Sequence, residues 1–155
     1  MIKFNFISGM ACAGKSHYID SHKEPDDIVV DVFTYQHQNQ NHLRAEYAFY
    51  SEIERLLRCH KSGTVWIETP FYKRYRRKAV ISFFKTLAEG FGANVEWHLI
   101  YIHTSKERYI ENHKLRFPDR STDGLNVYER ALEDIEIPTI DEQNDGWDTV
   151  KIISY

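Results

Sequence analysis

Two spacings of apolar residues alternate along this chain, one suited to strands and one to helices. Ile2-Lys3-Phe4-Asn5-Phe6-Ile7-Ser8 is an alternating, aromatic-rich run that predicts a buried strand. Ile28 to Phe33 is a β-branched run of strand length, Thr64 to Glu68 a third strand closed by Pro70, and Val95 to His103 a fourth. Val150 to Ile153 supplies a fifth. Between them the spacing lengthens. Lys15 to about Ser21 predicts a first helix. Leu43, Tyr47, Tyr50, Ile53 and Leu57 recur at three- and four-residue steps, predicting a helix from about His42 to Cys59 that Ser62-Gly63 stops. Ala79, Val80, Phe83, Phe84 and Leu87 give the next helix, from about Lys73 to Ala88, its end marked by Gly90 and Gly92. Ser105 is placed to N-cap a helix running to about Leu115. An irregular segment, Arg116 to Asp123, precedes a shorter helix from Leu125 to Ile135, and Pro138 begins a turn-rich stretch.

Strands alternating with helices predict an α/β three-layer sandwich: a mostly parallel five-stranded sheet covered on both faces, in a single domain over residues 1–155. Ligands bind such sheets at the carboxyl ends of the strands. That rule gathers four distant segments around one crevice: residues 9–16, Asp31, Glu68 and the stretch after Leu115.

One of these segments has a specific pattern. Gly9-Met10-Ala11-Cys12-Ala13-Gly14-Lys15-Ser16 reads G-x-x-x-x-G-K-S, after a strand and opening a helix. A loop wrapping a triphosphate must aim consecutive backbone N–H groups inward, and glycines permit the dihedral angles and close approach this requires. The helix N-terminus adds partial positive charge. Lys15 then reaches the β- and γ-phosphates, and the Ser16 hydroxyl can ligate Mg²⁺. The pattern implies ATP or GTP binding.

Composition narrows the picture without redirecting it. The chain has 155 residues, of which 42% are hydrophobic, and no apolar run of membrane-spanning length or export-signal pattern, so a cytoplasmic protein with no membrane partner is expected. Cys12 and Cys59 are expected as reduced thiols, Cys12 sitting where a helix N-terminus would favour the thiolate. The eight histidines are scattered without metal-ligand spacing, and His37, His42, His60 and His113 are read as surface or groove residues. A net charge of −3 does not advertise nucleic-acid binding, yet Lys73-Arg74-Tyr75-Arg76-Arg77-Lys78 holds five of the twenty Lys and Arg residues.

Phosphoryl transfer needs positioning, charge neutralisation and an oriented acceptor oxygen. Asp31 interrupts its apolar strand near the carboxyl end, either as an active-site base or as an N-cap or paired core carboxylate. Glu68 ends its hydrophobic strand as a Walker B acid does, holding Mg²⁺ through water or binding the acceptor, unless it is a solvated strand-end residue. Arg74, Arg76 or Arg77 would grip an acceptor phosphate, with Tyr72 and Tyr75 beside them to stack on a base; the alternative is a solvated helix face. Arg116 and Arg120, with Lys114, would sit in a lid over residues 114–124 that closes on the triphosphate, or on a merely exposed loop.

This order of elements resembles the small P-loop kinases, among them shikimate, gluconate, adenylate and polynucleotide 5′-kinases. Within that group it is similar to the kinase domain of polynucleotide kinase and its small ATP-binding relatives. Glu68-Thr69-Pro70 leading to Arg76-Arg77 resembles that group's acid-containing turn and basic helix. Tyr101-Ile102-His103-Thr104-Ser105 through Asn112 and Arg116 resembles its strand–helix–lid unit. Pro138 through Asp145-Gly146-Trp147-Asp148 and Val150 is similar to its P-x-x-x-E-G-[FW]-D-x-V ending, with Asp145 in place of Glu. The resemblance implies a P-loop NTPase fold of nucleoside-phosphate-kinase type using ATP and Mg²⁺. It also implies a general-base aspartate, matched by Asp31, followed three residues later by an arginine. Thr34 stands there instead, which weakens a 5′-hydroxyl polynucleotide acceptor.

The expected activity is transfer of the γ-phosphoryl group of ATP to a small metabolite or nucleotide bearing a hydroxyl or phosphate. Lys15, Asp31, Glu68, Arg116 and Arg120 are its expected catalytic residues. A polynucleotide 5′-kinase acting on nucleic acid is the first alternative, and a P-loop ATPase or nucleotide switch without an acceptor the second. No N-K-x-D guanine-reading motif is evident.

Overall fold

A computed structural model describes residues 1–31, 42–59, 62–69, 73–120 and 122–154. Five strands carry the fold: β1 (Ile2–Gly9), β2 (Ile28–Asp31), β3 (Gly63–Glu68), β4 (Val95–His103) and β5 (Thr149–Ser154). Among the described residues five helices connect them: α1 (Lys15–His22), α2 (His42–Arg58), α3 (Arg74–Phe91), α4 (Lys106–Arg116) and α5 (Gly124–Asp134). Short 3₁₀ turns cover Pro118–Arg120 and Ile140–Asp145. Val32, Phe33 and Pro70, expected to end β2 and close β3, lie outside the described residues.

The sheet order is β2-β3-β1-β4-β5, and every pairing is parallel. The most fully buried strand takes the centre: β1 pairs with β3 from Ile2↔Gly63 to Ile7↔Glu68, and with β4 from Ile2↔Val95 to Gly9↔Ile102. Residues that alternate along β1 feed two cores. Phe4 and Phe6 join Ile53, Leu57, Phe84 and Trp97 on the side of α2 and α3. Ile7 joins Tyr18, Trp66, Ile100 and Tyr109 on the side of α1 and α4. Phe4 stacks on Trp97 with ring centroids 5.0 Å apart, and Phe84 stacks behind it at 6.4 Å. Each fully buried side chain of this size stabilises the fold by about 1.5–3 kcal/mol. The expected three-layer α/β sandwich is therefore found, with the sheet wholly parallel.

The polar alternates on β1 have a cause. Helix α1 has only eight residues and ends at His22, so it leaves the lower half of its sheet face uncovered. A groove of about 410 Å³ remains there, lined by Lys3, Asn5, Trp66, His98 and Lys151 among others. It lies toward the amino ends of the strands, away from residues 9–16.

Two helical faces are rotated from the sequence expectation. On α2 the buried residues include Phe49, Ile53, Leu56 and Leu57, while Tyr47 is 76% exposed. On α3 they are Arg77, Val80, Ile81, Phe84 and Ala88; Ala79 faces solvent and Phe83 is half exposed. An arginine that belongs to the core shifts the apparent apolar stripe. Helix α3 also continues through Gly90 and stops at Gly92, whose left-handed conformation (φ 67°) lets its N–H reach the Ala88 and Glu89 carbonyls. Ser105 caps α4 as expected, accepting from the Arg108 N–H. His113, read as a surface or groove residue, is buried instead, against Tyr109 and Phe117 and beneath Gly124 of α5. His37 and His60, and the side chain of His42, lie outside the described residues. No helix among the described residues is long and apolar enough to cross a membrane. Cys12 and Cys59 are both free thiols.

Candidate nucleotide and phosphoryl-transfer site

The octapeptide leaves the carboxyl end of the central strand and bends back into α1. Gly9 must be glycine for lack of room: a Cβ there would lie 2.8 Å from the Ile102 carbonyl oxygen of β4. Gly14, at φ 93°, adopts a left-handed turn that sets the direction of α1. Cys12 is also left-handed, at φ 62°, an unfavourable conformation for a residue with a side chain. Together these turns form a concave loop at a helix N-terminus, the geometry that presents backbone donors to an anion.

Lys15 is buried, and its Nζ donates to the Gly9 carbonyl at 2.9 Å and the Met10 carbonyl at 3.0 Å. Burial lowers its pKa from 10.5 to about 8, a fall that Glu68 opposes and Arg116 reinforces. Ser16 Oγ donates to Glu68 Oε2 at 2.9 Å across 52 residues of sequence. Burial pushes the Glu68 carboxyl above its ordinary value, against the opposing influence of Lys15 and Ser16. Asp31 is the register partner of Glu68 on the adjacent strand, so both acids stand at the same level of the sheet. Lys15, Ser16, Asp31 and Glu68 thus converge at the carboxyl ends of three neighbouring strands.

Arg116 is the last residue of α4, not part of an irregular segment. Its guanidinium is exposed, lies 5.4 Å from the Phe117 ring centroid, and is close enough to act on both Lys15 and Glu68. Arg120 follows in the 3₁₀ turn, exposed and paired with Asp123 at 3.2 Å. The described residues of segment 114–124 include the end of α4, a 3₁₀ turn and the start of α5.

The arginines expected to bind an acceptor are occupied otherwise. Arg77 is buried, its Nε and Nη2 donating to the two Glu142 carboxylate oxygens at 2.8 and 2.9 Å, with Nη2 also reaching the Glu136 carbonyl. It ties α3 to the C-terminal 3₁₀ turn and presents no guanidinium to a ligand. Arg74 pairs with Asp145 at 2.8 Å, and Arg76 with Glu46 at 3.0 Å. Tyr75 is exposed, whereas Tyr72 lies outside the described residues. Sequence spacing could not reveal the pairings of Arg74 and Arg77, whose partners are 71 and 65 residues away.

A wholly parallel sheet with the G-x-x-x-x-G-K-S loop between its central strand and first helix defines a three-layer α/β fold. No protein-family model matches the sequence. No curated protein matches it either. Solved structures do. A Chloroflexus aurantiacus protein described as a "putative kinase" superposes with a TM-score of 0.71 at 10% identity, covering 98% of this chain and 87% of its own. The tunicamycin resistance protein of Deinococcus radiodurans superposes at 0.50 with 13% identity, covering 97% and 85%. At these identities the likeness establishes the fold.

Proposed function

We propose that this protein is an ATP- and Mg²⁺-dependent kinase that phosphorylates a small metabolite or nucleotide. One observation carries the reading: a buried Lys15 and a Ser16–Glu68 pair meet at the mouth of a glycine-bounded loop, with Asp31 beside them. The loop amides and Lys15 would hold the β- and γ-phosphates. The Ser16 hydroxyl and Glu68 carboxylate are hard oxygen donors suited to magnesium, which takes one or two protein oxygens and completes its shell with phosphate and water. Bound there, the cation would neutralise charge on the phosphate oxygens. Asp31, level with Glu68 at the neighbouring strand end, would accept a proton from the attacking hydroxyl. Arg116, at the end of α4 and close enough to act on Lys15 and Glu68, would stabilise charge on the transferring group.

The arginine pairings favour a small acceptor over a nucleic-acid strand. A single-strand groove needs a run of available cations, and three of the five here are held by carboxylates of the same chain. The test is incubation with labelled ATP and a panel of metabolites, nucleosides, nucleotides and 5′-hydroxyl oligonucleotides. Label on a small acceptor is the expected result. Label on oligonucleotides alone would replace it with the polynucleotide reading, free phosphate alone with an ATPase, and no ATP binding would overturn the assignment.

A further inference from the structure

Two side chains outside the octapeptide reach it from the β4–α4 unit. Asn112 Nδ2 donates to the Cys12 carbonyl at 2.9 Å, and Thr104 Oγ1 donates to the Ala13 carbonyl at 2.9 Å. They lie 100 and 91 residues from their partners, so both contacts belong to the tertiary fold. A trans peptide points its N–H opposite to its C=O. Drawing these two carbonyls toward α4 and β4 therefore turns the Ala13 and Gly14 N–H groups the other way, into the concave side of the loop. The Ala13 N–H, so turned, donates to the Met10 carbonyl 3.2 Å away and closes a turn within the loop.

Such a loop does not hold this shape unaided. Cys12 sits at φ 62° with a Cβ, which costs about 1–2 kcal/mol, and nothing local in the sequence compensates. A hydrogen bond to its own carbonyl offsets part of that cost in the one conformation that accepts it. We infer that Asn112, together with Thr104, is a positioning residue for the phosphate loop, holding two carbonyls outward so that the Ala13 amide closes the loop's turn and the Gly14 amide faces the phosphates. The inference rests on the nucleotide site proposed above and deepens it. It also links two parts of that site. Asn112 precedes Arg116 by four residues on α4, so both project from one face of the same helix. The contact that shapes the loop thereby sets the distance from the loop to the exposed arginine.

Asn112→Leu and Thr104→Val keep the side-chain size, add no charge and remove the donor. Titrate each variant and the wild type calorimetrically with MgATP and with inorganic pyrophosphate, well below the unfolding midpoint. In parallel, follow amide hydrogen exchange at Ala13 and Gly14. Each variant should bind both probes about five- to tenfold more weakly, and exchange at Ala13 should accelerate. A contact that serves only the fold would lower the unfolding midpoint and leave the affinity of the folded protein unchanged. Wild-type binding with unchanged affinity in both variants would overturn this inference and leave the kinase reading standing. Failure of the wild type to bind either probe would overturn both.

Discussion

Arg77 offers the sharpest test of how the basic segment is used. Both it and Glu142 are 1% exposed at the side chain, and two parallel hydrogen bonds join them. Arg77→Met removes one charge and leaves the buried Glu142 carboxylate without its doubly hydrogen-bonded cation. Breaking a buried pair from one side costs about 3–5 kcal/mol, because the remaining charge is desolvated without compensation. For a protein of this length, each kcal/mol lowers the unfolding midpoint by roughly 2–4 °C, so a fall of about 6–20 °C is expected. Glu142→Leu should do similar damage from the other side, by removing both carboxylate oxygens that the buried guanidinium donates to. Arg77→Met combined with Glu142→Leu removes both charges at once and should recover most of the loss, since apolar replacement of a buried pair is often neutral or better. Thermal and urea unfolding followed by circular dichroism would measure all three, and the double variant should still bind MgATP. The reasoning fails if Arg77→Met unfolds within a degree or two of wild type, or if the double variant is no more stable than the singles. An intact fold with impaired acceptor use would return Arg77 to the site.

Lys15→Met should abolish turnover yet stabilise the nucleotide-free protein at pH 7. The folded pKa of Lys15 is about 8 against 10.5, so the wild type carries the burial cost of a charged lysine in full below pH 8, up to about 3 kcal/mol. Across pH 8 to 10.5 the unfolded chain binds the proton and the folded chain does not. Wild-type stability therefore rises relative to the variant, and denaturation at several pH values should show the gap closing. Asp31→Asn should reduce turnover by ~10²–10⁴ with little change in MgATP affinity; normal turnover would remove Asp31 from the role of base. Phe84→Ala should cost about 3–5 kcal/mol in urea unfolding, because Phe84 is fully buried against Phe6, Phe49 and Trp97. A loss under 1 kcal/mol would mean that the core closes around the gap.

What the sequence made legible was local. The strand–loop–helix order around Gly9 to Ser16 is written in adjacent residues, and so are the β-branched runs of β2 and β3 and the Ser105 cap. Strand order was not, since nothing in Ile2–Gly9 itself says that β3 and β4 will flank it. The rotated faces of α2 and α3 share one cause. A hydropathy pattern treats Arg77 as solvent-facing and Tyr47 as core, but burial is decided by whether a partner arrives. Glu142 arrives for Arg77 from beyond α5, and α3 then turns its arginine inward and half exposes Phe83.

The same principle governs the site. Its reactive atoms are named by motif, whereas the groups that give them their properties come from distant segments with no signature of their own. Glu68 reaches Ser16 from β3, Thr104 and Asn112 reach the loop from the β4–α4 unit, and Arg116 influences Lys15 from the end of α4. They come from two units of the sheet, the end of β3 and the β4–α4 unit, and a parallel sheet delivers both to one end because every strand runs the same way. A basic cluster within a single helix cannot be assembled like this: its charges radiate around α3 and find whatever carboxylates lie on each side. Charge density along the sequence is thus a poor guide to a binding surface here. Convergence of unlike groups at strand ends is the better one, and it is the ground for proposing that the chemistry occurs at Lys15, Asp31 and Glu68.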